Sequence, residues 1–193
     1  MPAGMTTSPE QGFRIRSFRT GDLPACRKLY REGLIGGTLA ENDTGFDIDD
    51  IESVYMKRAG NHFWVAVAPA DDAPQGSATD PKSWPVVGMV GVQHHDADVG
   101  EIRRLRVART HRRRGIGSGL IETALKFCQE RQYLKITLDT FMEREPAIRL
   151  FEKFRFRHFR TRKAAGKELM YFMLDLYAGD SHGGPQGQPG QAT

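Results

Sequence analysis

The sequence predicts a mixed α/β domain. Short apolar runs of strand length alternate with amphipathic stretches of helix length. They fall in the order β-α-α-β-β-β-α-β-α-β-β, and a glycine-rich turn at 112–120 joins a strand directly to a helix. The chain has 193 residues, enough for one core, and no internal repeat.

The elements follow in turn. Residues 1–11 hold little to bury and are expected to be a flexible N-terminus. Phe13–Phe18 alternates apolar with Arg and Ser, a strand pattern. Thr20-Gly21-Asp22 offers caps for a helix from Leu23-Pro24 to about Gly33. Leu34-Ile35-Gly36-Gly37 joins it to a second helix over Asp47–Arg58, where Ile48, Ile51, Val54 and Tyr55 form one stripe. Phe63–Ala68 and Val86–Gln93 read as strands on either side of a long loop, Pro69–Pro85. Glu101–Val107 is a strand, Ile116–Arg131 a helix, Leu134–Leu138 a strand and Ala147–Phe154 a short helix. Strands near Arg157–Thr161 and Leu169–Leu176 complete a folded domain over 12–178. Gly179–Thr193 is a low-complexity tail expected to be disordered.

Composition narrows the function classes. Hydrophobic residues make up 39% and charged residues 27%, the balance of a soluble globular chain. Two cysteines, Cys26 and Cys128, cannot build a disulfide framework and are read as small core residues. The longest apolar run, Phe63–Ala68, is far shorter than the roughly 20 residues of a membrane helix. Met1–Gln11 has no leader pattern, so a cytoplasmic protein is expected. The net charge of +4 conceals an uneven distribution: −5 over residues 1–100, +12 over 101–167 and −3 over 168–193. The central segment calls for an anionic partner, either nucleic acid or a phosphate-bearing small molecule, unless it is simply a solvated basic face.

Two features inside that segment carry chemistry. In Glu101–Val107 the apolar residues fall at Ile102, Leu105 and Val107, so the alternation changes phase once. A one-residue bulge near Arg103-Arg104 repairs it and turns unpaired ladder donors outward. Directly after comes Arg112-Arg113-Arg114-Gly115-Ile116-Gly117-Ser118-Gly119-Leu120. The first N–H groups of the following helix have no internal acceptor and mark the positive end of its dipole, an anion site with arginines beside it. The turn lacks the Gly-Lys-Ser/Thr of a P-loop and the spacing of a dinucleotide fingerprint.

The combination resembles the GNAT superfamily of N-acetyltransferases. The family's Q/R-x-x-G-x-G/A reads here as Arg112-Arg113-Arg114-Gly115-Ile116-Gly117, preceded by Arg104-Leu105-Arg106-Val107. Downstream, Leu138-Asp139-Thr140 and Ala147–Phe156 are similar to the family's L-x-T and A-x-x-L-Y-x-x-x-G-F. The resemblance spans about 13–176, with its specific motifs in 101–156. It implies a mostly antiparallel sheet of about six to seven strands, helices on both faces, and central strands that splay apart. Acetyl-CoA would lie between the strands at 101–107 and 134–140. Its pyrophosphate would meet the loop at 112–118, including Gly115, Ile116, Gly117 and Ser118, and its pantetheine the backbone at Leu105, Arg106 and Val107, with Thr140 on the opposite strand. One strand N–H would face the thioester oxygen, a type of donor that contributes about 10²–10³ in rate. The other substrate would be an amine of a small molecule, peptide or protein. No metal, membrane or nucleic acid is implied, and a homodimer is left open.

An amine must be neutral to attack. A lysine-type amine with pKa about 10.4 is neutral in roughly one molecule in 2,500 at pH 7. Glu101 opens the bulged strand where many family members keep a general base, a role that contributes about 10²–10⁴; the alternative is a strand-end carboxylate paired with Arg103 or a neighbouring arginine. The family's tyrosine acid is replaced by Phe151 and its glycine by Arg155. Water, Tyr133 and Tyr171 are the alternative proton sources, and no spacing selects among them. His94-His95-Asp96 reads as a solvated turn, and the Phe154/Phe156/Phe159 stripe with its arginines as a half-buried strand. A CoA-binding regulatory module with little catalysis and a basic nucleic-acid binder are the rival functions.

Overall fold

A computed structural model describes residues 12–34, 43–70, 80–164 and 166–178. The flexible N-terminus expected over 1–11, the Ile35-Gly36-Gly37 linker and the tail over 179–193 lie outside the described residues. The element order is β1 (Arg14–Ser17), α1 (Leu23–Glu32), α2 (Phe46–Asp49), β2 (His62–Val67), β3 (Val86–Asp96), β4 (Val99–Val107), α3 (Ile116–Glu130), β5 (Lys135–Phe141), α4 (Glu145–Lys153), β6 (Arg157–Ala164) and β7 (Lys167–Asp175). It reproduces the order read from the sequence.

The seven strands form one sheet, β1-β2-β3-β4-β5-β7-β6. Every neighbour pair is antiparallel except β4 and β5. Strand alternation sends side chains to two separate cores. One face carries Val90, Val92, Ile102, Ile136, Leu138 and Phe172 against Ile116, Leu120 and Phe127 of α3 and Phe151 of α4. The other carries Phe63, Val65 and Met89 against Cys26 and Leu29 of α1 and Ile48, Ile51 and Tyr55. Helices therefore cover both faces.

The second predicted helix is irregular. Its α-helical part is α2, and Glu52–Met56 form a π-turn in which Lys57 N–H reaches back five residues to Glu52 O (3.0 Å). The Asn61 amide donates to Val54 O at 2.7 Å and anchors the end of the turn. All four stripe residues are still buried, which periodicity read correctly while missing the change of pitch. Helix α4 begins two residues earlier than expected, with Pro146 in its first turn.

Candidate active site

Strands β4 and β5 pair at only three positions, Val99↔Lys135, Gly100↔Ile136 and Glu101↔Thr137. Beyond Glu101 they are not paired, although β4 continues to Val107 and β5 to Phe141. The sheet thus opens into a V with Glu101 at its vertex. At about 3.3 Å per residue, the β4 arm from Glu101 to Val107 is about 20 Å long. The expected bulge lies on this arm: Gly91 faces Arg103 and Met89 faces Arg106, so Arg104 and Leu105 share the single opposing residue Val90. Arg104 has φ +58°, the left-handed region.

Arg104 is held there by acids far away in sequence. Its Nη1 and Nη2 donate to Asp43 at 2.7 Å each, and Nε donates to Asp47 at 2.7 Å with a further Nη2 bond to the same carboxylate. The Tyr55 hydroxyl donates to Asp47 at 2.6 Å, and the Tyr30 ring lies against the guanidinium, 5.0 Å away. Burial alone would raise both aspartates, but the bonds and charge of Arg104 outweigh it and hold them below the ordinary carboxylate range. Single-sequence reading had no signal for a cluster linking positions 43, 47 and 104.

The glycine loop lies past the far end of the β4 arm. Arg109–His111 make one 3-10 turn, and Arg112 Nε donates to Val107 O at 3.3 Å. Arg113 and Gly115 both have positive φ, +61° and +81°, the second at the N-cap of α3, where glycine is the residue that adopts this geometry without strain. The first bond of the helix runs from Gly119 N–H to Gly115 O at 3.0 Å. The N–H groups of Ile116, Gly117 and Ser118 therefore have no acceptor within the helix. Arg112, Arg113, Arg114 and Gly115 are exposed. Lys153 of α4 brings its Nζ to 3.5 Å from Ser118 Oγ, adding a cation that the sequence motif did not flag. The fifteen-residue α3 contributes its dipole at this end.

The sequence-predicted residues separate onto the two faces. Leu105 and Val107 pack toward α3, and Thr140 is buried. Glu101, Arg103, Arg104 and Arg106 project to the opposite face, with Thr137, Asp139 and Tyr171. Burial raises the Glu101 carboxyl above its ordinary range; Arg103, whose Nη1 is 3.7 Å from Glu101 Oε2, opposes the rise and Asp139 adds to it. Glu101 is thus a carboxylate loosely paired with Arg103 and with a raised proton affinity. Asp139 is raised in the same way, by burial, with Arg103 and Arg104 opposing.

Of the two tyrosines, Tyr133 is committed elsewhere. Its hydroxyl donates to Gly60 O at 2.8 Å and meets His94 Nδ1 at 3.2 Å. Tyr171 is opposite Asp139 in the β5–β7 register. Burial raises its hydroxyl, Arg162 opposes and the charges of Asp139 and Glu101 contribute, so it keeps its proton at neutral pH. Phe151 is 4% exposed and packs on Phe156 and Phe172. Arg155, at the motif's glycine position, has φ +64°, a conformation that glycine adopts without strain.

The remaining candidates are structural. His94, His95 and Asp96 are exposed at the end of β3. Cys26 and Cys128 are free and fully buried, with burial pushing each thiol up to about 12. Phe156 is core, whereas Phe159 is exposed and packs on Tyr171. Among the described residues no group of three His, Cys, Asp or Glu side chains converges as a metal site, and no helix is long and apolar enough to cross a membrane.

Comparison with known proteins agrees with this architecture. An acetyltransferase of the GNAT family from Staphylococcus aureus Mu50 superposes with a TM-score of 0.68 at 17% identity, covering 85% of this chain and 99% of that one. NAA60 of Arabidopsis thaliana, solved with a bisubstrate analogue, gives 0.63 at 20% identity, covering 84% and 97%. In sequence, the chain is 34% identical over 113 residues to an N-acetylaspartate synthetase of Xenopus tropicalis, and 30% identical over 116 residues to human N-acetyltransferase 8. These alignments cover 58% of this chain but only 36% and 45% of the relatives. The family model for acetyltransferases of the GNAT type matches residues 25–156. The splayed sheet, the bulge on its β4 arm and that match together place this chain in the GNAT acetyltransferase family.

Proposed function

We propose that this chain transfers the acetyl group of acetyl-CoA to an amine. The observation that carries the proposal is the opening of the sheet beyond Glu101↔Thr137, with the loop of unbonded α3 amides at its wide end. The names of the relatives, N-acetylaspartate synthetase and N-acetyltransferase, support amine acetylation as the reaction class.

The residues present fit acetyl-CoA. The amides of Ile116, Gly117 and Ser118, with Arg112–Arg114 and Lys153 around them, would hold the diphosphate. The backbone of Leu105, Arg106 and Val107 would receive the pantetheine amides, as a sheet edge receives an added strand. Acetyl-CoA supplies an activated acetyl thioester. Glu101, with its raised proton affinity, takes the proton from the incoming ammonium directly or through one water. Tyr171 holds a proton for the leaving sulfur on the same face. This hydroxyl replaces the one that Phe151 lacks, and so favours a catalytic protein over a binding module. A cytoplasmic location belongs to the same proposal and is supported by the two free thiols.

The test has two steps. At 100 times its Kd, acetyl-CoA should stabilise the fold by about 2.7 kcal/mol, a melting shift of roughly 5–10 °C for a domain of this size. Glu101→Gln should then lower kcat by about 10²–10⁴ at pH 7 and leave that shift intact. No shift with acetyl-CoA would overturn the cofactor reading, and unchanged turnover would remove Glu101 as base.

A further inference from the structure

We propose that Arg106 and Arg144 form the receptor for a carboxylate on the acceptor, making the acceptor an anionic amine of the amino-acid type rather than a neutral or cationic one. The inference rests on the acetyltransferase reading and adds the acceptor's chemical class to it.

Arg106 Nε is sealed from solvent and has no hydrogen-bond partner among the described residues. Its Nη1 donates to Leu105 O at 2.8 Å, a backbone acceptor that leaves the charge unmatched. Such an isolated buried cation is destabilising unless something anionic meets it. The nearby acid does not meet it, because both oxygens of Asp43 accept from Arg104. Burial, then repulsion from Arg144 and Arg104, lowers Arg106 to about 9, with Asp43 and Tyr30 opposing.

Arg144 approaches from the other arm of the V. Its Nη2 donates to Gly33 O at 2.6 Å, at the end of α1. Arg106 packs on the same residue so closely that a Cβ on Gly33 would lie 2.4 Å from Nε. Two guanidinium groups, one from each arm, therefore converge on Gly33 with no carboxylate ion-paired to either among the described residues. They lie on the sheet face that Glu101 shares, the side on which the amine must lose its proton. Planar guanidinium groups suit a carboxylate, which can accept from both.

Succinate, a dicarboxylate without an amine, isolates the anion step from catalysis. Calorimetric titration of the CoA-bound protein should show succinate binding, and Arg106→Gln should weaken it about tenfold or more, the effect of losing a charged hydrogen-bond donor. Arg106 also lies in the strand segment proposed to meet the pantetheine, so CoA is titrated on the same variant, and succinate affinity should fall by the larger factor. Gly33→Ala, which drives a methyl group into the Arg106 stem, should weaken succinate likewise while keeping the guanidinium. Arg106→Gln should also melt no lower than the wild type, so a folded variant is expected. Failure of succinate to bind, or loss of CoA affinity with succinate unaffected, would overturn the proposal; the second outcome would assign Arg106 to the cofactor's phosphates. Succinate binding without acetylation of any amine would instead refute the acetyltransferase reading and leave the arginine site standing.

Discussion

Replacing Asp47 with alanine tests what holds the bulge, and hence the opening, in place. The Arg104 side chain is 6% exposed and distributes its donors between Asp43 and Asp47. In the variant Asp43 keeps Nη1 and one bond to Nη2, but Nε loses its acceptor, and so does the Tyr55 hydroxyl. Breaking a buried pair costs about 3–5 kcal/mol; with Asp43 remaining, the lower end applies. An unsatisfied buried hydroxyl adds about 1 kcal/mol or more. The total is about 4 kcal/mol, which lowers the melting temperature by roughly 8–16 °C. The left-handed backbone at Arg104 costs about 1–2 kcal/mol, and without Asp47 much of the force offsetting it is gone. The bulge should then relax toward regular pairing, and acetyl-CoA affinity should fall with stability. Thermal melts and a CoA titration read both effects. Glu32→Ala, which removes an exposed 3.9 Å pair with Lys28, serves as control, with a change under about 0.5 kcal/mol. A variant that melts like the wild type would refute the buried cluster. One that is destabilised but keeps its CoA affinity would refute the link from cluster to opening.

Four further outcomes follow from other sites. Arg155→Gly should stabilise by about 0.5–1 kcal/mol, the left-handed strain of about 1–2 less glycine's extra chain entropy of about 0.5–1; denaturant titration that shows a loss would place the arginine's contacts above its strain. Cys26 and Cys128, buried with thiols pushed up to about 12, should resist a thiol reagent at pH 8 until the protein is unfolded, and rapid modification of the native protein would contradict that burial. Asp43 and Asp47 sit below their ordinary range, so their contribution is complete above about pH 4 and is lost as pH falls through the depressed values. Glu101 and Asp139 have the opposite sign: their raised values mean that protonation favours the folded state. Stability measured from pH 5 to 2.5 should fall in the wild type and much less in Asp47→Asn, whereas Asp139→Asn should be more stable than wild type at pH 7.

Much of this architecture was legible because it is local. Eleven elements in order follow from periodicity, caps and Gly/Pro punctuation, and the phase slip at Ile102/Leu105 foretold the bulge within a residue or two. The glycine loop was legible for the same reason. What escaped depends on contacts between distant positions. Nothing near Arg104 announces Asp43, and nothing near Arg106 announces Arg144 or Gly33. Tyr171 could be distinguished from Tyr133 only when the β5–β7 register set it beside Asp139. The π-turn escaped because its apolar stripe is the same as that of a helix.

The opening itself has an energetic consequence. A strand edge with unpaired groups gives up about 0.5–1.5 kcal/mol for each ladder bond not made and invites another chain to pair with it. Beyond Glu101 the β4 arm would zip onto β5 unless something opposed it. Opposition comes from both faces: Leu105 and Val107 are anchored toward α3, while Arg104 is pulled the other way by Asp43 and Asp47. The bulge between them lets consecutive side chains obey both demands, which a regular strand also does, but it removes the straight run of donors that β5 would need. An extended molecule with amides of its own can still meet those donors singly. Pantetheine, which the proposed cofactor would bring, has that form, so under that proposal the feature that opens the sheet also selects what would close it.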